Sequence, residues 1–169
     1  MMVKNFNQFF NDLFTELNPK QAKVIRGRFG VDTGAEATLQ EIGDGLGITR
    51  ERVRQIEEQA AKKLTPQVRD KASAFIGFAE EHLTRVGGLR REDCFIRDVA
   101  HHLPDGSGIK HLSHKLYLLF VLGGTPLYYE EDDEFYSFWY VSEAARKPLS
   151  SFAAKLRELF RKHDKRALL

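Results

Sequence analysis

The sequence has one cysteine, Cys94, in 169 residues, so no internal disulfide can form and a reducing, cytoplasmic setting is expected. It lacks a long apolar run. The longest uncharged apolar stretch, Leu116 to Gly124, is nine residues, where a membrane-spanning helix needs about 20; the amino-terminal residues also lack the basic-then-apolar order of a secretory signal. Excess charge is scarce too. The 26 Lys and Arg oppose 24 Asp and Glu, a net of +2, which excludes strong diffuse attraction to phosphate. No Gly-rich phosphate loop, nucleophile elbow or His-Glu-x-x-His pattern occurs. No catalytic residue is therefore assigned, and the chain is expected not to be an enzyme. Cys94, His101, His102, His111 and His114 lie close in sequence, and His111 and His114 at i, i+3 are a candidate metal pair. Their spacing matches no zinc-finger pattern and only one thiol is available, so the expectation is no metal and no cofactor.

What is present is enough for real cores: 42% of the residues are hydrophobic, sufficient for one large or two small domains. Charge is unevenly spread. Residues 1–64 carry 10 basic and 9 acidic groups, 116–145 carry 0 and 6, and 146–169 carry 8 and 2. DNA binding by the first half would therefore rest on a few placed arginines or on a partner.

The most readable stretch is Thr38 to Leu64. Thr38 followed by Glu41 is a capping box that starts a helix burying Leu39 and Ile42. Gly45 and Gly47 supply a permissive turn, Leu46 and Ile48 plug the angle between two helices, and Thr49 caps the second. On that second helix Val53, Ile56 and Ala60 form the inward stripe. Arg50, Glu51, Arg54 and Gln55 then occupy the outer face of its first two turns. These residue types read base edges: Arg takes the acceptors of guanine, Gln pairs with adenine, and Glu accepts from the cytosine amino group. The pattern is that of a helix-turn-helix, whose second helix enters the major groove by its amino-terminal turns. A charge run alone would read as a solvated helix face; here caps, glycine turn and apolar stripe coincide with it.

The segment TRERVRQIE (Thr49 to Glu57), with the upstream TLQEIG, resembles region 4 of primary, housekeeping-type bacterial sigma factors. The resemblance extends back through LNPKQAKVIRGRFG and covers about Leu17 to Leu64. It implies a module that reads the upstream promoter element in double-stranded DNA and touches the flap of the RNA polymerase beta subunit. Carried over by position, Arg50, Glu51, Arg54 and Gln55 are the base-reading residues, while Thr38, Thr49 and Arg52 fall to the DNA backbone or a partner surface. In the family this module follows a polymerase-binding, promoter-melting domain and closes the chain. Here one short helix precedes it and about a hundred residues follow, so a self-sufficient sigma factor is not expected.

Around this module, Phe6, Phe9, Phe10, Leu13, Phe14 and Leu17 recur at helical spacing and predict an aromatic-striped helix, packed on the helix-turn-helix or held for a partner. Asn18 and Pro19 start the next helix, which buries Ala22, Ile25 and Phe29 and stops at Gly30. Thr65-Pro66 repeats that start, and Val68, Ala72, Phe75, Ile76, Ala79, Leu83 and Val86 predict a long connecting helix over 65–88, joining two halves or lying against another copy of itself. From Leu89, helices over 91–103 and 109–122 flank a PDGSG loop. Two aromatic runs with an acidic turn, Glu130 to Glu134, then predict a β-hairpin. Helix, helix and hairpin is a winged-helix order; an acidic wing would repel phosphate and face protein. The acidic turn is also a candidate magnesium site, though at a hairpin such charges keep an aromatic edge from aggregating. From Leu149 a basic amphipathic helix puts Phe152, Leu156, Leu159 and Phe160 inward and Lys155, Arg157, Arg161, Lys162, Lys165 and Arg166 outward. It is read as packed on the second unit, with DNA-backbone contact or self-association as sharper alternatives.

The expectation is thus a mostly α protein: a sigma region 4-like helix-turn-helix domain over 1–64, a connecting helix over 65–88, and a winged-helix-like α+β unit over 89–169. Its function would be sequence-specific recognition of duplex DNA in bacterial transcription, with core RNA polymerase or a second copy as partner. Two rivals remain: the DNA-targeting piece of a larger enzyme or defence system, and a polymerase-binding adaptor that does not read DNA.

Overall fold

The computed structural model describes residues 5–104 and 108–167, with side chains through 162. The PDGSG loop therefore falls partly outside it, as do the side chains of Lys165 and Arg166. Helices α1 (Phe6–Asp12), α2 (Pro19–Arg28), α3 (Leu39–Leu46), α4 (Arg50–Lys71) and α5 (Ser73–Arg85) lead to β1 (Leu89–Arg91). Then come α6 (Glu92–His101), α7 (Leu112–Gly123), β2 (Leu127–Tyr129), β3 (Phe138–Tyr140) and α8 (Glu143–Ala167). The protein is mostly helical with one small sheet. No described helix is long and apolar enough to cross a membrane.

The cap signals act as read. Asn18 Oδ1 accepts from the Gln21 amide at 2.8 Å with Pro19 in the first turn, and α2 stops before Gly30, whose φ of +60° is left-handed. Thr65-Pro66 behaves differently, and α4 runs through it to Lys71. The reason is the apolar stripe: Val53, Ile56, Ala60, Leu64 and Val68 are all buried at three- and four-residue steps, so stopping at 65 would leave Val68 off the core. The Thr65 hydroxyl donates backwards to the Ala61 carbonyl at 2.9 Å instead of capping forwards. The break comes at Ala72, and the predicted connecting helix is divided between α4 and α5.

Helix α5 also has a different task from a connector. Its apolar residues Phe75, Ile76, Ala79 and Leu83 are buried, so its face is spent on this chain and not on a second copy. Helix α5, β1, α6, α7, β2 and β3 follow one another in the winged-helix order, with an antiparallel sheet arranged β1-β3-β2. The hairpin pairs Tyr128 with Trp139, and Arg90 of β1 lies on the other side of Trp139. Strand β1 gave no sequence signal because three residues cannot show a period.

Among the described residues, two clusters of buried side chains hold the fold. The small one belongs to the helix-turn-helix: Val24, Ile42, Val53 and Ile56. The large one runs from α1 through Ile25 of α2, Val31 and the second half of α4 to α5, α6, α7 and Trp139. The α1 stripe is core as predicted, but it joins this second cluster: the Phe6 ring lies 5.9 Å from Phe75, and Phe75 stacks on Phe120 at 6.1 Å. Four phenylalanines need more apolar surface than a two-helix turn offers, and the bare flank of α5 and α7 supplies it. The α8 prediction is corrected as well: Phe152, Leu156, Leu159 and Phe160 are 58, 37, 55 and 68% exposed. Pro148 and the exposed turns after it carry the helix along its own axis, with no body surface beneath those residues to receive them.

Candidate nucleic-acid interface

The site is set by how α3 and α4 begin. The Thr38 hydroxyl accepts from the Glu41 amide at 3.2 Å while a Glu41 carboxylate oxygen accepts from the Thr38 amide at 2.7 Å. The Thr38 amide, with the Thr38 hydroxyl second, holds the Glu41 carboxyl below its ordinary range. The Thr49 hydroxyl accepts from the Arg52 amide at 3.2 Å. Between them Gly47 takes a left-handed φ of +64°, a conformation that favours glycine. Gly45 has open space around it, whereas Gly43 is required for close approach and not for its φ: a Cβ there would stand 2.7 Å from the Ile48 carbonyl oxygen. That close approach sets the angle between the two helices, and sequence spacing gave no sign of it.

With Val53, Ile56 and Ala60 buried on one side of α4, the other side is fixed. Arg50, Glu51, Arg52 and Arg54 are exposed, and Gln55 is half-buried. The structure brings these residues together on the first two turns, as the spacing predicted. They are also bonded to one another. Arg54 donates to both Glu51 carboxylate oxygens at 2.9 and 2.7 Å, and to Glu58. Arg52 donates to Gln55 Oε1 at 3.0 Å, and Gln55 Nε2 donates to Glu51 at 3.4 Å. The Arg54 bond pushes the Glu51 carboxyl down, and the same bond pushes the Arg54 guanidinium up. Arg54 is neutralised by Glu51 and Glu58 while Arg50 and Arg52 keep their charge, and the ion pairs lie in water, where such pairs are weak and readily exchanged. This face can trade internal bonds for base edges without stripping a buried charge.

One positioning residue escaped the sequence reading. Arg28 on α2 donates to the Ala37 carbonyl at 2.5 Å and to Glu57 of α4 at 3.4 Å. It thereby ties α2, the α2–α3 loop and α4 together. Thr38 and Thr49, assigned to backbone or partner contact, have their hydroxyls engaged in capping.

Helix α7 of the winged unit offers no comparable reading face. Six of the 12 residues of α7 are buried and Val121 is its one exposed residue. It lies against the helix-turn-helix domain, with the Tyr117 ring 5.9 Å from Phe29 and His114 Nδ1 bonded to the Phe29 carbonyl at 3.0 Å. The wing turn holds Glu130 to Glu134, with Asp132 accepting from the Glu134 and Phe135 amides at 2.8 Å. The candidate metal residues are dispersed. His102 bonds the Asp98 carbonyl at 2.8 Å, His111 packs on Gly34, and no group of three or more potential ligands occurs among the described residues.

A capped helix-turn-helix with a polar, arginine-bearing second helix defines a domain of the DNA-binding class. Residues 13–65 match the family model for Sigma-70, region 4, and this segment is a sigma-70 region 4-like domain. The chain is 36% identical over 83 residues to the RNA polymerase sigma factor RpoD of Neisseria gonorrhoeae, covering 48% of this chain and 13% of that protein. It is 47% identical over 60 residues to the RNA polymerase principal sigma factor HrdD of Streptomyces coelicolor, covering 36% and 18%. Against the RNA polymerase sigma factor sigB of Arabidopsis thaliana it is 42% identical over 71 residues, 41% of this chain and 12% of that protein. The chain thus spans less than a fifth of each relative's length.

Proposed function

We propose that the chain is a non-enzymatic DNA-binding protein of bacterial transcription, which reads a short duplex sequence through Arg50, Glu51, Arg54 and Gln55 of α4. The observation that carries this reading is the orientation of α4. One side is fixed in the small cluster by Val53 and Ile56, its start is capped by Thr49, and the base-reading side chains face water on the turns that enter a major groove. The similarity to sigma factors over the same residues supports it. The acidic wing and the buried α7 leave base reading to the region 4-like domain, and one such module reads one half-site. Core RNA polymerase is the partner that would supply the remaining affinity.

A second reading, a polymerase-bound adaptor that does not read DNA, has one observation in its favour. An apolar groove of about 480 Å³ between α2 and α3 is lined by Ala22, Lys23, Arg26, Gly27 and Ile42, a surface separate from the reading residues. Selection from a random duplex pool, with and without core RNA polymerase, separates the two. The proposed function predicts an enriched motif that disappears with Arg54→Ala. No enrichment in either setting, with polymerase still bound, would favour the adaptor.

A further inference from the structure

Among the described residues, the carboxy-terminal helix carries an apolar stripe that the fold leaves uncovered. Its first turns are fastened: the Tyr140 hydroxyl donates to Glu143 at 2.8 Å, and the Arg146 guanidinium lies 5.1 Å over the Tyr129 ring. Past Leu149 the apolar face of the helix leaves the body, which the helix still meets through the Arg157–Glu134 pair. Of residues 150–162 every one is exposed except half-buried Ala153. At about 100° per residue, Leu149, Phe152, Ala153, Leu156, Leu159 and Phe160 fall within an arc of about 120°. The stripe is about 17 Å long, and single exposed apolar residues need no explanation where a stripe of this kind does.

The borders of the stripe identify what covers it. Lys155 and Lys162 edge it on one side, Arg157 and Arg161 on the other, and Glu158 sits at the centre of the opposite face. A second copy of α8 is a poor occupant. Antiparallel pairing sets lysine edge against lysine edge, and parallel pairing sets lysines against arginines, so both orientations oppose like charges. An anionic surface fits badly as well, because Arg157 is bonded to Glu134 at 2.8 Å. That ion pair holds Glu134, on the acidic wing turn, beside the arginine edge. A narrow helix that sets its acidic residues against Lys155 and Lys162, on the edge away from that pair, meets neither obstacle. We propose that the exposed stripe of α8 docks an amphipathic helix of another protein whose own apolar stripe is bordered by Asp and Glu.

The test titrates the full chain into a fluorescent four-turn peptide with a Leu/Phe stripe edged by Glu. A peptide with the same stripe edged by Lys, and phosphatidylcholine vesicles containing phosphatidylglycerol, are run beside it, and sedimentation equilibrium reports self-association. The proposal expects saturable, salt-sensitive binding of the Glu-edged peptide at least tenfold tighter than the Lys-edged one. Phe152→Ser with Phe160→Ser should abolish it, and Lys155→Glu with Lys162→Glu should transfer the preference to the Lys-edged peptide. All four positions are exposed, and unchanged Trp139 fluorescence confirms that each variant is folded. Equal binding of both peptides, binding of neither, vesicle binding in their place, or a dimer dissolved by the phenylalanine changes would each overturn it.

Discussion

Replacing Phe6 with alanine tests how the two halves of the molecule are joined. Phe6 is 1% exposed and its ring lies 6.0 Å from Phe10 and 5.9 Å from Phe75. Through Phe75, Phe120 and Phe95 it belongs to the cluster that contains Trp139. Removing a buried phenyl group costs about 3–5 kcal/mol, the lost transfer energy plus the cavity left behind. With a urea slope of about 2 kcal/mol/M for a protein of this size, the midpoint should fall by about 1.5–2.5 M. Trp139 is the one tryptophan and is fully buried, so its fluorescence reports the carboxy-terminal unit alone, whereas far-ultraviolet circular dichroism reports all helices. The continuous cluster predicts that Phe6→Ala moves the tryptophan transition by that full amount. If α1 served only the helix-turn-helix, Trp139 would unfold at its original midpoint, and the single-core argument would be refuted.

The helix-turn-helix gives paired expectations at its glycines: Gly43→Ala forces a Cβ to within 2.7 Å of the Ile48 carbonyl oxygen and should destabilise by about 1–3 kcal/mol. Gly45→Ala, which meets nothing within 4 Å, should stabilise by up to about 1 kcal/mol in the same thermal melts. Thr49→Ala removes the cap of α4 and should cost about 1 kcal/mol, read as a lower melting temperature that Thr49→Ser restores. Burial, and to a lesser degree Glu92, pushes the Tyr128 hydroxyl up from 10.0 to about 12. Its neutral form is thus favoured by the fold. The associated stability is complete below pH 10.0 and lost as pH climbs towards 12. Ultraviolet titration should show a late tyrosinate phase whose last component, at about 12, is lost in Tyr128→Phe.

Local chemistry was legible in the sequence; long-range packing was not. Thr38, Glu41, Asn18, Pro19 and Thr49 act over three residues, so their roles could be written down from spacing. The faces of α4 followed from one period. The destination of an apolar stripe is a different matter. The α1 phenylalanines and the α5 residues Phe75 and Leu83 announced burial without saying against what, because that depends on which neighbour has bare surface. The same limit explains α8, where periodicity marked an apolar face that the rest of the fold does not reach. Strand β1 was invisible because its pairing partner, Phe138 to Tyr140, lies about 50 residues away. The outward set Arg50, Glu51, Arg54 and Gln55 was readable for the opposite reason: a helix face needs only its own period and one buried stripe. Arg28 and Gly43 act through contacts to Ala37, Glu57 and the Ile48 carbonyl, which no spacing rule carries.

The central claim is that α4 reads bases, and a cycle between one side chain and one base pair tests it most directly. Affinity of the wild-type chain and of Arg54→Ala is measured, at fixed salt and with core RNA polymerase if selection requires it, on the selected site and on sites with single base pairs replaced. The account predicts that Arg54→Ala weakens the selected site by roughly 5- to 150-fold. It also predicts that the loss disappears at one replaced guanine position, where side chain and base no longer act independently. An Arg54→Ala loss of the same size on every sequence would make Arg54 a phosphate contact only, and the base-reading account would be contradicted.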